Sequence, residues 1–123
     1  MYSVEADTTK RLLVISVAGH ASADDVKEVA RRVRELVANF APGFKALTDF
    51  RWMESMATSA APFMAEVMDA LAEKQVSTVV RVVPDPRKDI GLNILSKFRY
   101  GPETRVVTYE TLADALQELA EIA

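Results

Sequence analysis

Residues 76–83 read VSTVVRVV, a nearly continuous apolar run that one arginine, Arg81, interrupts. Branched apolar residues favour β-strands, and a strand without polar alternation is typical of a parallel sheet that is covered on both faces. Pro84 and Pro86 end the run, and Asp85 between them is a good N-cap residue with proline at the first helical position. The stretch therefore predicts a buried central strand that is followed directly by a helix.

The same alternation of strand and helix extends in both directions from this stretch. The residue pattern predicts further strands at 2–6, 11–18, 44–50 and 104–109. Helices are predicted to begin at Ser22, near Ser59 and at Thr111, and Asp25 and Asp114 complete capping-box-like pairs at the first and last of these. The order β-β-α-β-α-β-α-β-α requires right-handed crossovers. We therefore predict an α/β fold, a single domain over residues 1–123, with a mainly parallel five-stranded sheet, packed helices and an antiparallel first strand.

Two segments carry apolar residues whose placement matters for function. The third helix has a stripe at helical spacing that we expect to face the sheet, made of Ile90, Ile94, Leu95 and Phe98. Residues 51–57, RWMESMA, are predicted to form a loop at the end of the third strand, where open α/β sheets commonly bind ligands. For Trp52 and Met53 in this loop, binding a partner and packing on the core are equally compatible with the sequence.

The composition excludes several function classes. The chain has 123 residues with a formal net charge of −3, which argues against general nucleic-acid binding because such binding needs a dense basic surface. It contains no cysteine, so disulfides and thiolate metal sites are excluded, and a reducing compartment such as the cytoplasm is expected. The beginning of the chain does not resemble a signal peptide, and its apolar runs fall far short of the roughly 20 residues of a membrane span. We expect a soluble cytoplasmic protein.

No catalytic or metal constellation is evident in the residue pattern. His20 is the only histidine, and we expect it to be a partly exposed turn residue at the end of the second strand. No glycine-rich nucleotide motif occurs, and no nucleophile–base pair can be assembled. Arg81 is predicted either to extend its charged end from a partly covered face or to lie at the same edge as Arg87. The sequence therefore predicts that the protein is not an enzyme and that it binds neither a cofactor nor a metal.

Three local patterns, at residues 12–22, 49–58 and 109–116, resemble those of STAS domains, the SpoIIAA-like fold of the anti-sigma-factor antagonists. LLVISVAG at 12–19 followed by Ser22 resembles the second strand, glycine turn and first helix cap of that family. Asp49 ends a strand nine residues before Thr58, and residues 109–116 resemble the ending of the last strand and helix. The resemblance covers nearly the whole chain and implies the fold named above.

The resemblance also implies a phosphorylation site at the start of the second helix. In the family an aspartate at the end of that strand precedes a phosphorylatable serine or threonine by the same interval, which makes Thr58, with Ser59 beside it, the candidate phosphoacceptor. The family pattern Asp-Ser-Ser/Thr-Gly reads Ala57-Thr58-Ser59-Ala60 in this chain, so its acidic residue and its glycine are both replaced. Hydroxyls at a helix start also serve as caps worth about 1 kcal/mol, and both interpretations remain open.

Taken together, these features predict a non-enzymatic signalling or protein-interaction module. Its partner, an anti-sigma-type kinase in the family, is expected to dock on the loop and helix start at residues 51–62 and near the start of the third helix. The predicted contact residues are Asp49, Arg51, Trp52, Met53, Met56, Arg81 and Arg87. The alternative is a small-molecule or lipid-binding domain with an apolar pocket near Trp52. An exposed edge strand and the Met-rich loop also predict a homodimer.

Overall fold

The five strands form one sheet in the order in which they occur along the chain. The structure is a computed structural model that describes residues 1–122. In chain order the elements are β1 (Tyr2–Asp7), β2 (Leu12–Ala21), α1 (Ala23–Val37), β3 (Lys45–Met56), a 3₁₀ turn (Thr58–Ala60), α2 (Ala61–Glu73), β4 (Thr78–Val82), α3 (Pro86–Arg99), β5 (Arg105–Tyr109) and α4 (Leu112–Glu121). β1 pairs antiparallel with β2, and the other neighbouring strands pair parallel. The predicted fold class and element order are confirmed.

Helices cover both faces of the sheet. Residues of α1, α2 and α3 share one apolar cluster with β1 to β4, whereas α4 forms a second cluster with Leu47, Val80 and Val82 on the opposite face. β4 is buried along its whole length. Its sequence lacks polar alternation because it has helices on both sides, as predicted for a central parallel strand.

The helix starts follow the predicted local signals. The Ser22 side chain accepts a hydrogen bond from the backbone N–H of Asp25, and the Asp25 carboxylate accepts one from the backbone N–H of Ser22, both at 3.1 Å. Asp85 caps α3, with proline at the first helical position, and Thr111 caps α4. Each cap stabilises its helix by about 1 kcal/mol because it satisfies N–H groups that have no partner within the helix.

The prediction of a loop at residues 51–57 is wrong, because β3 continues to Met56. Its last residues pair with the last residues of β2, from Ala18 opposite Trp52 to Ala21 opposite Met56, and two bulges adjust the register. His20 therefore lies within β2 and not in a turn. β4 ends opposite Asp49, so this pair of strands, residues 18–21 and 52–56, extends beyond the rest of the sheet. We call it the β2–β3 ribbon.

The predicted inward stripe of α3 is also wrong. Ile90, Ile94 and Phe98 are exposed, Phe98 to 82%, and Leu95 is only partly buried. The buried residues of the helix are Asp89, Leu92 and Ser96, which lie on the other side. The helix has the predicted position in the chain but the opposite orientation about its axis.

Candidate functional site

The β2–β3 ribbon presents one large exposed aromatic side chain, Trp52, which is 68% exposed. The Arg51 guanidinium lies 5.6 Å from the centre of the Trp52 ring. The same guanidinium binds both carboxylate oxygens of Asp49, with Nε–Oδ1 at 3.0 Å and Nη2–Oδ2 at 2.9 Å. A bidentate pair fixes the plane of the guanidinium, so the indole packs on a cation that is already held in place.

The Asp49–Arg51 pair stays charged at neutral pH. Partial burial acts to raise the pKa of Asp49, but hydrogen bonds from the side chain and backbone of Arg51 outweigh it and lower that pKa below its ordinary value. The hydrogen bond to Asp49 raises the pKa of Arg51. The support beneath Trp52 is therefore a permanent ion pair.

The hydroxyls at the start of α2 lie next to the ribbon and are exposed. Thr58 and Ser59 belong to the 3₁₀ turn, and both are exposed. The residue before the turn is bonded to the ribbon, because the Ala57 N–H donates to the Ala21 carbonyl at 2.9 Å. The N-cap positions of the turn and of α2 are Ala57 and Ala60, and neither helix start has a side-chain cap bond. The cap interpretation of these hydroxyls is wrong, because the extra 3₁₀ turn moves alanines into the capping positions.

The first turn of α3 completes this end of the sheet. The Lys88 ammonium donates a hydrogen bond to the Met53 carbonyl at 3.1 Å, which ties α3 to the ribbon. Arg87 is exposed and pairs with Asp85, with Nη2–Oδ2 at 3.1 Å. The structure thus brings Asp49, Arg51, Trp52 and Arg87 to the carboxyl end of the sheet. We call the ribbon, the 3₁₀ turn and the first turn of α3 the carboxyl-end surface.

Three of the predicted contact residues are buried or partly buried, which limits their contact with a partner at this surface. Met53 is buried in the core, and Met56 is partly buried and packs against the same cluster. For these two residues the structure favours packing over contact with a partner. Arg81 neither extends to solvent nor lies at the edge, since its side chain is only 2% exposed.

Arg81 is enclosed between β4 and the polar face of α3. Its Nη1 donates to Asp89 Oδ1 at 3.0 Å and to Asn93 Oδ1 at 3.4 Å, and its Nη2 donates to the Ser96 hydroxyl. Asn93 in turn donates to Asp89 Oδ2 at 3.2 Å. No buried side-chain nitrogen or oxygen within residues 1–122 lacks a hydrogen-bond partner. A buried cation needs these partners, which explains why α3 turns its polar side inward and its apolar side outward.

A signal for this arrangement is present in the sequence. Asp89, Asn93 and Ser96 recur at helical spacing in the helix that directly follows the strand containing the lone arginine. The apolar stripe of α3 has the same spacing, and only the need to pair Arg81 distinguishes the two faces.

The small-molecule alternative requires an apolar pocket beside Trp52. Two clefts of about 700 and 710 Å³ lie at the opposite, amino end of the parallel strands, and a cavity of about 10 Å³ lies beside Arg81 and Leu92. None of these three spaces is lined by Trp52. The structure gives that form of the alternative no support.

His20 Nδ1 lies 2.7 Å from the Ser55 hydroxyl across the ribbon, in an exposed cross-strand pair. Within residues 1–122 no group of three His, Cys, Asp or Glu side chains is placed to hold a metal ion. None of the helices in the same range is long and apolar enough to span a membrane.

Comparison with known proteins identifies the fold. No protein-family model matches the chain, and no curated protein matches it in sequence. An uncharacterised DUF3478-family protein from Shewanella loihica PV-4 with a SpoIIAA-like fold has a TM-score of 0.72 at 17% identity, over 97% of this chain and 92% of its own. The anti-sigma factor antagonist SpoIIAA in its unphosphorylated form has a TM-score of 0.65 at 15% identity, over 98% of both chains. The Bacillus cell fate determinant SpoIIAA in its phosphorylated form has a TM-score of 0.61 at 14% identity, over 97% of this chain and 99% of its own.

These structures are similar to this chain over nearly its full length. At such identities the likeness establishes the fold, which is SpoIIAA-like, as the sequence resemblance predicted.

Proposed function

We propose that the protein is a non-enzymatic, cytoplasmic signalling module that binds a regulatory protein partner through its carboxyl-end surface. The observation that carries the proposal is the exposed Trp52, held by Arg51 on Asp49. Tryptophan is enriched among the residues that dominate binding energy at interfaces, and an indole that is already ordered loses little entropy on binding. The fold shared with anti-sigma factor antagonists supports a partner of the anti-sigma-factor type.

Phosphorylation of Thr58 or Ser59 would regulate that contact. Both hydroxyls are exposed and make no capping bond, so a kinase would not need to break one. A phosphate would bring nearly two negative charges next to a strand that already carries Glu54. The nearest cation in sequence, Arg51, already neutralises Asp49. The added charge would therefore remain largely unpaired and would weaken docking of an acidic partner surface or pull Arg51 away from Trp52.

Isothermal titration calorimetry tests this proposal with defined partners. Each anti-sigma factor encoded in the genome that carries this gene is purified and titrated against the wild type, Trp52→Ala and Phe98→Ala. Loss of a central anchor costs at least about 2 kcal/mol, which is about a 30-fold weaker Kd for Trp52→Ala. Phe98→Ala is the matched control, because it removes an exposed aromatic side chain from α3, and we expect it to leave the Kd unchanged.

The phosphorylation step has its own readout. With ATP present, the binding anti-sigma factor is expected to add one phosphate, which mass spectrometry locates at Thr58 or Ser59. Thr58→Glu should weaken the complex, whereas Thr58→Ala should bind like the wild type. If no anti-sigma factor binds, or if the Trp52 and Phe98 variants lose affinity equally, the proposed surface is wrong.

A further inference from the structure

A second surface lies at the other end of the sheet, far along the strands from the ribbon. It is a cleft of about 700 Å³ between the amino ends of β2, β3 and β4 and the last turns of α4. This volume is within the range of small-molecule sites. Its apolar wall includes Leu12, Leu116, Leu119 and Ile122, of which Leu116 is exposed to the cleft side of α4. We call it the amino-end cleft.

Three cations line the same cleft. Lys10, Arg11 and Lys45 are among its lining residues, and no aspartate or glutamate of residues 1–122 is. In the described part of the chain, none of the three has a carboxylate within ion-pair distance. The chain has 18 acidic residues against 15 lysines and arginines, so a cleft whose described lining holds three cations and no acid departs from the average composition of the chain. The C-terminal end of α4 favours nearby positive charge, which accounts for part of this clustering.

The backbone at Arg11 has an uncommon conformation. Its φ is +53°, in the left-handed region where glycine and asparagine are favoured and a long side chain is strained. Arg11 lies in the turn between β1 and β2, and a glycine there would adopt this conformation without strain. The chain has an arginine at this position, and Arg11 is one of the residues that line the cleft.

Gly43 provides the space for that guanidinium. Arg11 Nη2 donates to the Pro42 carbonyl at 2.5 Å, and a Cβ added to Gly43 would lie 3.1 Å from the same nitrogen. Gly43 itself has a φ of +91°, so any other residue would be strained there as well as crowded. The turn that contains Arg11 and the turn at Pro42–Gly43 thus contact each other through the Arg11 guanidinium.

We propose that the amino-end cleft binds a small organic anion with an apolar body, such as a medium-chain carboxylate. Lys10, Arg11 and Lys45 receive the anionic group, and the apolar body lies along Leu12, Leu116 and Ile122. Charged hydrogen bonds fix the head group, and burial of the body supplies most of the affinity. The site is separate from the carboxyl-end surface, so this proposal can be tested independently of the proposed partner binding.

A titration with sodium octanoate below its micelle concentration tests the proposal by ¹⁵N–¹H NMR. We expect saturable shifts of the amide signals of Gly43, Lys45, Ser77 and Leu119. Neutral octanamide should bind at least 10-fold more weakly, because it cannot neutralise the cations, and inorganic phosphate should also bind at least 10-fold more weakly, because it lacks the apolar body. Shifts confined to residues 90–98 of α3, or shifts that do not saturate, would overturn the proposal.

Charge variants locate the head group. Lys45→Glu should weaken octanoate binding at least 10-fold, whereas Lys97→Glu, which makes the same charge change on exposed α3, should leave it unchanged. Equal losses in the two variants would show a nonspecific charge effect and refute the site.

Arg11→Gly separates binding from folding. It should raise the midpoint of urea unfolding because it relieves the left-handed strain, and it should weaken octanoate binding at least 10-fold because it removes the guanidinium. A variant that binds octanoate like the wild type, or that loses both stability and binding, contradicts the assigned role of Arg11.

Discussion

The buried pair of Arg81 and Asp89 is expected to be the strongest single link between α3 and the sheet. Its side chains are 2% and 8% exposed, with Nη1–Oδ1 at 3.0 Å. Asp89→Ala leaves the guanidinium enclosed without its carboxylate, and breaking a buried pair in this way costs about 3–5 kcal/mol. Asn93 and Ser96 retain two of the hydrogen bonds to Arg81, so we expect the lower part of that range, about 3–4 kcal/mol.

Urea unfolding followed by far-UV circular dichroism measures this loss. With a slope of roughly 2 kcal/mol per molar urea, the midpoint of Asp89→Ala should fall by about 1.5–2 M. Glu73→Ala is the matched control, because it breaks an ion pair with Arg34 whose side chains are 62% and 41% exposed. An exposed pair contributes less than about 1 kcal/mol, so its midpoint should hardly move.

A double variant separates the charge from the packing. Arg81→Met with Asp89→Leu removes both charges and retains apolar volume, and such replacements of a buried pair are often neutral or stabilising. We expect the double variant to recover most of the stability that Asp89→Ala loses. The reasoning fails if Asp89→Ala is no less stable than Glu73→Ala, or if the double variant is as unstable as Asp89→Ala.

Three further outcomes are expected from the same structure. Thr58→Ala should change the free energy of unfolding by less than about 0.5 kcal/mol because Thr58 makes no cap bond, whereas Ser22→Ala should cost about 1 kcal/mol; equal losses would contradict the capping assignment. The pKa of Asp25 is lowered by hydrogen bonds with the backbone and side chain of Ser22, and that of Asp49 is lowered by Arg51 against the effect of burial. A lowered folded-state pKa stabilises the protein above the unfolded value and less so as the pH falls through the folded value. The urea midpoint should therefore decrease as the pH falls below about 4, and it should decrease less in the Asp25→Asn/Asp49→Asn double variant. The open edge of β1 predicts a homodimer, and light scattering after gel filtration at micromolar concentration would disprove it by giving the monomer mass of 13.6 kDa.

Local signals were sufficient for most of the fold. The strand pattern, the caps at Ser22, Asp85 and Thr111, and the proline and glycine stops act over a few residues, so a linear sequence displays them. Alternation of strands with helices then restricts the topology to a parallel sheet with right-handed crossovers. The structure places Trp52, Arg51 and Arg87 at the carboxyl end of that sheet, and their role in contacting a partner stays a prediction.

The extension of β3 was not predictable from its own residues. RWMESM lacks regular alternation because two bulges shift its register against β2. Its backbone bonds are made by Ala18–Ala21, more than 30 residues earlier in the chain. Whether such a segment is a loop or a strand depends on a partner that comes near only after folding, so the sequence does not display it.

The orientation of α3 shows most clearly the difference between local sequence signals and contacts that form only on folding. The residue pattern alone is enough to place a helix at residues 86–99, with apolar residues at helical spacing on one face and polar residues on the other. Which face is inside depends on a contact that forms on folding, because Arg81 lies opposite the helix and is buried together with Asp89 and its neighbours. A buried guanidinium needs hydrogen-bond acceptors around it, so α3 turns its polar face inward although Ile90, Ile94 and Phe98 then face water.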